Sequence, residues 1–292
     1  MSSRPDTAPS PLPATVVRLL EGPAGRLRVH LTGAGDASPP VVAVHGVGAT
    51  GRQFRHLAVE LADRGLRTVA LDRPGAGGSP AGDPRLAGQA AAALAAAAAL
   101  APGPALWVGH SWGAAVALEA ALTDPGAVRE LVLLAPALLP FALPLPVRLA
   151  VSTPGAWTVR CVLRLAGRPV IRGAMRHVYG PAAALIDDVA VTEELEGWRG
   201  QSFSGVAATV RVMEAELRAL GPRAARLDPR IPVRLLLGEA DPLTAAGAPR
   251  DGLRALLPGA AVEVLPRCGH VLHVTEAGTV ADRVAAAAAQ AA

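Results

Sequence analysis

Residues 106–118, LWVGHSWGAAVAL, decide the fold of this chain. The stretch opens with an apolar run typical of a buried strand and continues as alanine-rich sequence typical of a helix. A strand that turns directly into a helix needs small residues near the centre of the turn, and Gly109 and Gly113 lie two positions on either side of Ser111. The stretch therefore predicts a sharp turn that presents the Ser111 hydroxyl at the N-terminus of a helix, where developing negative charge is favoured.

The same alternation of short apolar runs and longer helical patterns extends over most of the chain. An opening hairpin is predicted at residues 15–21 and 26–32, and buried strands follow in succession at residues 41–44, 67–71, 105–108, 128–134, 233–237 and 261–265. Helical patterns lie near residues 52–63, 85–101, 112–123, 244–257 and 278–290. This order is typical of an α/β fold, a mostly parallel sheet with helices on both faces.

The alternation stops between the strand at 128–134 and the strand at 233–237. Helical patterns at 155–165, 169–179 and 204–220 follow one another there, with no convincing strand between them. We therefore expect a helical cap at residues 136–230, inserted into a core made of residues 15–135 and 231–292. Residues 1–14 are rich in proline and lack an apolar run, which predicts a disordered leader rather than a signal peptide.

Composition excludes several kinds of chemistry. The 292 residues include no Lys and no Asn, so all 28 positive charges of Lys and Arg are arginines. Without lysine the chain can supply neither a Schiff-base amine nor the lysine of a phosphate-binding P-loop. The net charge is only +4 and the arginines look scattered, which does not favour a nucleic-acid partner.

The two cysteines, Cys161 and Cys268, are too few for a disulfide framework, and no His or Cys spacing resembles a zinc site. We therefore expect a reduced, cytoplasmic protein that uses neither metal nor organic cofactor. Residues 131–151 are apolar over a length that could span a membrane, but four prolines interrupt them. No transmembrane segment is expected, and the oligomeric state is left open.

Three motifs together resemble the α/β-hydrolase family, in its serine-nucleophile branch of esterases and lipases. Besides the GHSWG turn, residues 41–48 read VVAVHGVG, similar to the family's strand ending in His-Gly, and residues 72–79 read DRPGAGGS, similar to its loop after the next strand. The resemblance implies that Ser111 is the nucleophile and that the backbone N–H groups of Val47 and Trp112 form an oxyanion hole. His45, Gly46 and His110 would then flank the site.

The resemblance also indicates where the other members of a catalytic triad should lie. Asp241 follows the strand at 233–237 and is the expected acid, with Glu239 as its neighbour and competitor. His270 follows the last strand and is the expected base, whereas His273 is expected to be a partly buried structural residue. The chain order Ser, Asp, His matches the family.

These residues predict a carboxylesterase-like serine hydrolase that cleaves a small-molecule ester or related acyl bond through an acyl-enzyme. The apolar segment 138–147 suggests an apolar or medium-chain acyl group, or it simply buries the cap against the core. A thioesterase or cofactor-free perhydrolase would share every residue named. The family's carbon–carbon bond hydrolases usually have Trp after the catalytic histidine and an Asn in the site. This chain has Val271 after His270 and no Asn, which disfavours that activity. A ligand-binding member of the fold without turnover is the alternative outside enzymes.

Overall fold

The computed structural model describes residues 15–22, 25–33, 39–142, 145–198, 201–243 and 248–290. The predicted leader at 1–14 and the first four residues of the helix predicted at 244–257 lie outside these residues. Eight strands occur in the described part of the chain: β1 (Thr15–Gly22), β2 (Gly25–Thr32), β3 (Val41–Val44), β4 (Thr68–Leu71), β5 (Ala105–His110), β6 (Val128–Leu134), β7 (Val233–Gly238) and β8 (Ala261–Leu265).

The eight strands form one sheet in the order β1-β2-β4-β3-β5-β6-β7-β8. The hairpin strand β2 pairs antiparallel with both β1 and β4, and the other pairings are parallel. The strands therefore match the predicted α/β class, with boundaries shifted by at most two residues. Their parallel arrangement brings the carboxyl ends of β3 to β8 to one edge of the sheet.

The helices of the core flank this sheet: α1 (Arg55–Asp63), α2 (Leu86–Leu100) and α3 (Trp112–Thr123) precede β6. Between β6 and β7 the chain forms α4 (Leu145–Ala150), α5 (Thr153–Tyr179), α6 (Asp188–Gly197) and α7 (Gln201–Ala224), and it closes with α8 (Ala248–Leu256), α9 (Leu272–Thr275) and α10 (Ala277–Gln290). Turns of 3-10 helix lie at Gly51–Phe54, Pro125–Ala127 and Gly180–Leu185.

Helices cover both faces of the sheet because its central strands are apolar throughout. In β3 the side chains of Val42 and Val44 join one hydrophobic cluster, and those of Val41 and Ala43 join another on the opposite face. Such alternation follows from the two-residue period of a strand. Ala90, Ala93 and Ala97 of α2 are buried in the first cluster, so the low-complexity alanine run is a helix that packs closely on the sheet.

The segment between β6 and β7 is helical, as predicted, but its helices differ in detail. The patterns at 155–165 and 169–179 belong to one helix, α5, which kinks at Ala166 (φ −133°, ψ 29°). Pro169 explains the kink, because proline has no N–H to donate to the preceding turn and its ring displaces the carbonyl four residues earlier. The short helices α4, α6 and α9 were not predicted.

These helices have a hydrophobic cluster of their own. Its members include Leu163, Ile171 and Met175 of α5, Leu195 of α6 and Phe203 of α7. Val271, which follows the expected base, is buried in the same cluster. The helical segment is thus packed onto the edge of the sheet where the expected catalytic residues lie.

Candidate active site

The expected catalytic residues all follow strands at the carboxyl edge of the sheet. Ser111 comes directly after β5, Asp241 lies three residues after β7, and His270 follows β8. Since these strands run parallel, residues from distant parts of the chain meet at one edge, which is where ligands bind in open α/β sheets.

The turn at Ser111 is strained in the way its glycines predict. Ser111 has φ 53° and ψ −118°, in a region that side-chain-bearing residues rarely adopt. A Cβ atom at Gly113 would lie 2.0 Å from the carbonyl oxygen of Val44, and one at Gly109 would lie 2.6 Å from Cα of Ala114. Only glycine fits at either position. The Ser111 N–H donates to the Leu134 carbonyl (3.0 Å), which fixes the turn to the neighbouring strand.

The loop after β3 packs directly against this serine. A Cβ at Gly46 would lie 3.1 Å from Cβ of Ser111, and Val47 and Ser111 line the same cavity. Trp112, the other expected backbone donor, is the first residue of α3. The structure thus brings both expected donors beside Ser111, one from the loop and one from a helix N-terminus.

A buried arginine that the sequence analysis did not single out holds this loop. Arg73 donates from Nε to the His45 carbonyl and from Nη2 to the Gly46 carbonyl, both at 2.8 Å, and from Nη1 to Oε1 of Gln89 at 2.9 Å. It thereby fixes the two peptide groups that precede Val47. Its position in the DRPGAGGS loop was the only available signal.

His45 has a structural role in the same network. Its Nδ1–H donates to the Gly46 carbonyl (2.8 Å), and its Nε2 accepts the Arg73 N–H (3.0 Å), which requires the neutral ring. Burial, with the charge of Arg73 adding to it, lowers the pKa of His45 to about 3. The ring is therefore neutral at physiological pH.

His270 and Asp241 are in contact and both are buried. Nδ1 of His270 lies 2.8 Å from Oδ2 of Asp241, and the second carboxylate oxygen, Oδ1, accepts the Leu243 N–H at 2.8 Å. The competitor Glu239 is exposed, and its Oε2 accepts the Arg267 N–H at 2.9 Å. The structure thus brings Asp241, and not Glu239, to the histidine.

Close packing of the backbone determines the positions of Asp241 and His270. A Cβ at Gly238, the last residue of β7, would lie 2.2 Å from the carbonyl oxygen of Gly269. The N–H of His270 donates to the carbonyl of Val178, near the end of α5, at 2.7 Å. The loop that carries His270 is therefore held between the sheet edge and the helical segment.

Two further histidines lie behind His270. Nε2 of His110 is 3.0 Å from the His270 carbonyl oxygen, and the rings of His110 and His273 have centroids 4.3 Å apart. His273 is fully buried, and neither of its ring nitrogens has a hydrogen-bond partner among the residues that the structure describes. Burial lowers the pKa of His273 to about 3 and that of His110 well below its usual value. Both rings are neutral at physiological pH.

Ser111 and His270 line one cavity of about 790 Å³, which we call the Ser111 cavity. Much of its wall is apolar and comes from both the core and the helical segment, including Leu138, Leu139, Phe141, Ile171, Met175 and Val274. The predicted apolar segment thus contributes in part to the wall. Leu138 is also buried in the main hydrophobic cluster together with residues of α7, as expected if this segment packs the helical insert against the core.

Sequence reasoning missed two polar side chains of the wall, Glu194 of α6 and Trp198, which directly follows that helix. Trp198 donates from Nε1 to Oε1 of Glu194 (3.1 Å), and its ring covers Gly48, where a Cβ would lie 2.1 Å from Cζ2 of the indole. Burial raises the pKa of the Glu194 carboxyl, and the neighbouring charge of Glu193 also raises it. No local motif marks these residues, since only the fold brings α6 to the loop after β3.

The described residues contain no group of three or more His, Cys, Asp or Glu side chains able to hold a metal ion. In the same part of the chain, no helix has the length and apolar character needed to cross a membrane.

The sheet agrees with the comparisons with known proteins. The family model "Alpha/beta hydrolase family" matches residues 41–285, and the chain belongs to that family. A curated relative, the pimeloyl-[acyl-carrier protein] methyl ester esterase of Methylococcus capsulatus, is 44% identical over 97 residues. That match covers 33% of this chain and 36% of the relative, so it spans about a third of either protein.

Solved structures show the same fold at low sequence identity. Cfl2 from Burkholderia cenocepacia superimposes with a TM-score of 0.76 at 20% identity, covering 92% of this chain and 94% of that one. An epoxide hydrolase from an endophytic Streptomyces gives a TM-score of 0.75 at 21% identity, covering 94% and 95%. The thioesterase domain from the curacin biosynthetic pathway gives a TM-score of 0.69 at 20% identity, covering 93% of this chain and 99% of that one. These likenesses show a shared fold.

Proposed function

We propose that this chain is a serine hydrolase that cleaves a carboxylic ester through an acyl-enzyme on Ser111. The observation that carries the proposal is the strained Ser111 turn facing the same cavity as His270, with the His270 ring fixed by Asp241. A strained, half-buried serine that shares a cavity with a carboxylate-oriented imidazole fits what nucleophilic acyl transfer requires.

In this mechanism Nε2 of His270 takes the Ser111 proton as Oγ attacks the carbonyl carbon of the ester. The oxyanion that forms is stabilised by the N–H groups of Val47 and Trp112. His270 then returns the proton to the alcohol oxygen as the carbon–oxygen bond breaks. Water, deprotonated by His270, hydrolyses the acyl-enzyme, and Asp241 stabilises the imidazolium in both steps.

Serine at the nucleophile position distinguishes this chain from the epoxide hydrolases that share its fold. That branch resembles Gly-His-Asp-Trp-Gly and attacks with a carboxylate, whereas this chain has GHSWG. The partial match to a methyl ester esterase supports an ester as substrate. Thioesterase and perhydrolase activities on the same residues remain alternatives of the same chemistry.

The wall of the Ser111 cavity supports an apolar acyl group. The volume of the Ser111 cavity, about 790 Å³, is in the range of small-molecule sites, and aliphatic and aromatic side chains make up most of its lining. We further propose that residues 136–230 form a cap that sets acyl specificity, because α5 and α6 supply part of this wall. The free cysteines Cys161 and Cys268 fit a reducing, cytoplasmic setting.

A series of p-nitrophenyl esters from acetate to decanoate tests both parts of the proposal. We expect kcat/KM to rise with acyl length to a maximum at medium chains, and Ser111→Ala to remove turnover of every ester. Near-native activity of Ser111→Ala would refute the nucleophile. A sharp preference for acetate would refute the apolar acyl site while leaving the serine mechanism intact.

A further inference from the structure

Charge is distributed very unevenly over the helical segment. Residues 131–186 contain six arginines and no Asp or Glu, and acidic residues resume only at Asp187. The arginines are no denser here than over the whole chain, at six in 56 residues against 28 in 292, so the excess of positive charge comes from the missing carboxylates. In the described part of the chain, Arg168 and Arg172 pair with Asp188, whereas Arg148, Arg160 and Arg164 have no carboxylate partner.

These three arginines lie among exposed apolar side chains on α4 and the first half of α5. Arg176, which also has no carboxylate partner among the described residues, lies near the end of α5. Leu145 and Leu149 of α4 are 64% and 59% exposed, and Trp157 of α5 is 71% exposed. None of the residues of α4 is buried. We call the surface formed by Leu145, Arg148, Leu149, Trp157, Arg160 and Arg164 the cationic apolar surface.

Local geometry places α4 and the first half of α5 next to each other. Trp157, Arg160 and Arg164 are spaced by three and four residues, so they share one face of α5 before its kink. The start of α5 abuts the end of α4, since a Cβ at Gly155 would lie 1.8 Å from the carbonyl oxygen of Leu149. A groove between α5 and α7, lined by both Arg160 and Arg211, adds another cation.

We propose that the cationic apolar surface docks this protein on an anionic lipid bilayer. Exposed Trp and Leu interleaved with Arg is the composition that lies in a membrane interface, where apolar side chains insert and arginines meet lipid phosphates. A second copy of the chain is a poor occupant, because a symmetric contact would bring Arg160 and Arg164 close to the same cations. An acidic protein surface would pair with the arginines, but it would bury the exposed side chains of Leu145 and Leu149 less well than a bilayer.

The surface lies next to the Ser111 cavity along the chain. Phe141 lines that cavity, is 41% exposed, and precedes α4 by four residues. A docked bilayer would therefore lie near the cavity wall, where an apolar ester could pass from the membrane. Docking goes beyond the proposed ester hydrolysis, and its test needs no turnover.

The test is cosedimentation of the full chain with vesicles of phosphatidylcholine alone or with about one third phosphatidylglycerol. We expect binding to the anionic vesicles only. Arg160→Glu/Arg164→Glu should weaken it at least about tenfold through lost attraction and added repulsion. Leu149→Ala/Trp157→Ala should weaken it by about tenfold without changing net charge. These side chains are exposed, so thermal unfolding should stay unchanged and confirm that the variants fold.

The matched control is Arg226→Glu/Arg254→Glu, which changes net charge equally at exposed arginines outside this surface. It should bind within about twofold of the wild type, because distant charges are screened. Absence of binding to anionic vesicles, or equal weakening in the control, would overturn the proposal. Binding to polyglutamate but not to vesicles would also overturn it, and would indicate an acidic protein partner.

Discussion

Asp241 and Glu239 are two residues apart, yet the fold gives them opposite surroundings. Asp241 is buried against His270, and Glu239 is exposed and caps the N–H of Arg267. The role proposed for Asp241 depends on its negative charge and on the hydrogen bond that its carboxylate accepts from Nδ1–H of His270. It is thus a matter of orientation and electrostatics rather than of proton transfer.

Asp241→Asn separates these residues experimentally. An amide at this position favours the wrong imidazole tautomer, so we expect kcat for an ester to fall by about 10³ to 10⁴-fold with little change in KM. Glu239→Gln is the control and should keep kcat within about twofold, because its neighbour is a backbone N–H at the surface. Equal losses in both variants, measured by steady-state kinetics, would show that Asp241 has no special role.

His273 is a residue whose position works against stability. Its buried ring nitrogens have no hydrogen-bond partners among the described residues. Such groups lower the free energy of unfolding, and an apolar side chain would not. Because its pKa in the folded state is about 3, the unfolded chain binds a proton at this position below about pH 6.5 that the folded chain does not. Protonation of this residue therefore costs the fold nothing above that pH, and it removes stability progressively as the pH falls below it.

His273→Leu should be at least as stable as the wild type at pH 7, by urea unfolding. Between pH 6 and pH 5, the free energy of unfolding of the variant should fall by about 1 kcal/mol less than that of the wild type. The reason is that the unfolded variant no longer binds a proton at this position that the folded variant does not bind. The control His177→Leu changes an exposed histidine of α5 and should keep the wild-type pH dependence. A wild-type slope in His273→Leu would mean that this ring is protonated in the folded protein.

At the scale of the element, the strand, turn and helix around Ser111 depend on backbone space more than on side chains. We expect Gly113→Ala to destabilise the protein by about 3 kcal/mol and to abolish ester turnover, because its Cβ would meet the Val44 carbonyl at 2.0 Å. Thermal unfolding and an ester assay measure both effects.

Gly173→Ala is the matched control for this substitution. Gly173 lies in α5 with open space around its Cα, so alanine should stabilise the helix by up to about 1 kcal/mol and leave turnover unchanged. If Gly113→Ala behaved like Gly173→Ala, the turn would tolerate a side chain and the account of its strain would be wrong.

Elements with a strong local pattern could be predicted from the sequence, and elements without one could not. Central strands such as β3 are short apolar runs, and α3 is bounded by the Ser111 turn, so both were confirmed. The helix α4 was missed because it is only six residues long and includes Pro146 and Arg148, and α6 because its acidic sequence has little helical periodicity. Packing against α5, rather than local preference, defines them.

Over the whole molecule, the order of strands explains why the site residues could be proposed from sequence while their surroundings could not. Ser111, Asp241 and His270 each follow a strand, and parallel strands must end together. Arg73 and Glu194 have no such landmark, since their contacts with His45 and Trp198 arise from packing between distant segments. Cavity shape, and with it substrate choice, therefore required the structure.

Reaction of the folded protein with a fluorophosphonate tests the central claim most directly. Oγ of an activated serine displaces fluoride from phosphorus, and intact mass with peptide mapping reports where the new bond forms. We predict one adduct, on Ser111, and no adduct in Ser111→Ala. Folded wild-type protein that gains no adduct, or gains it at another residue, would contradict the proposed serine hydrolase.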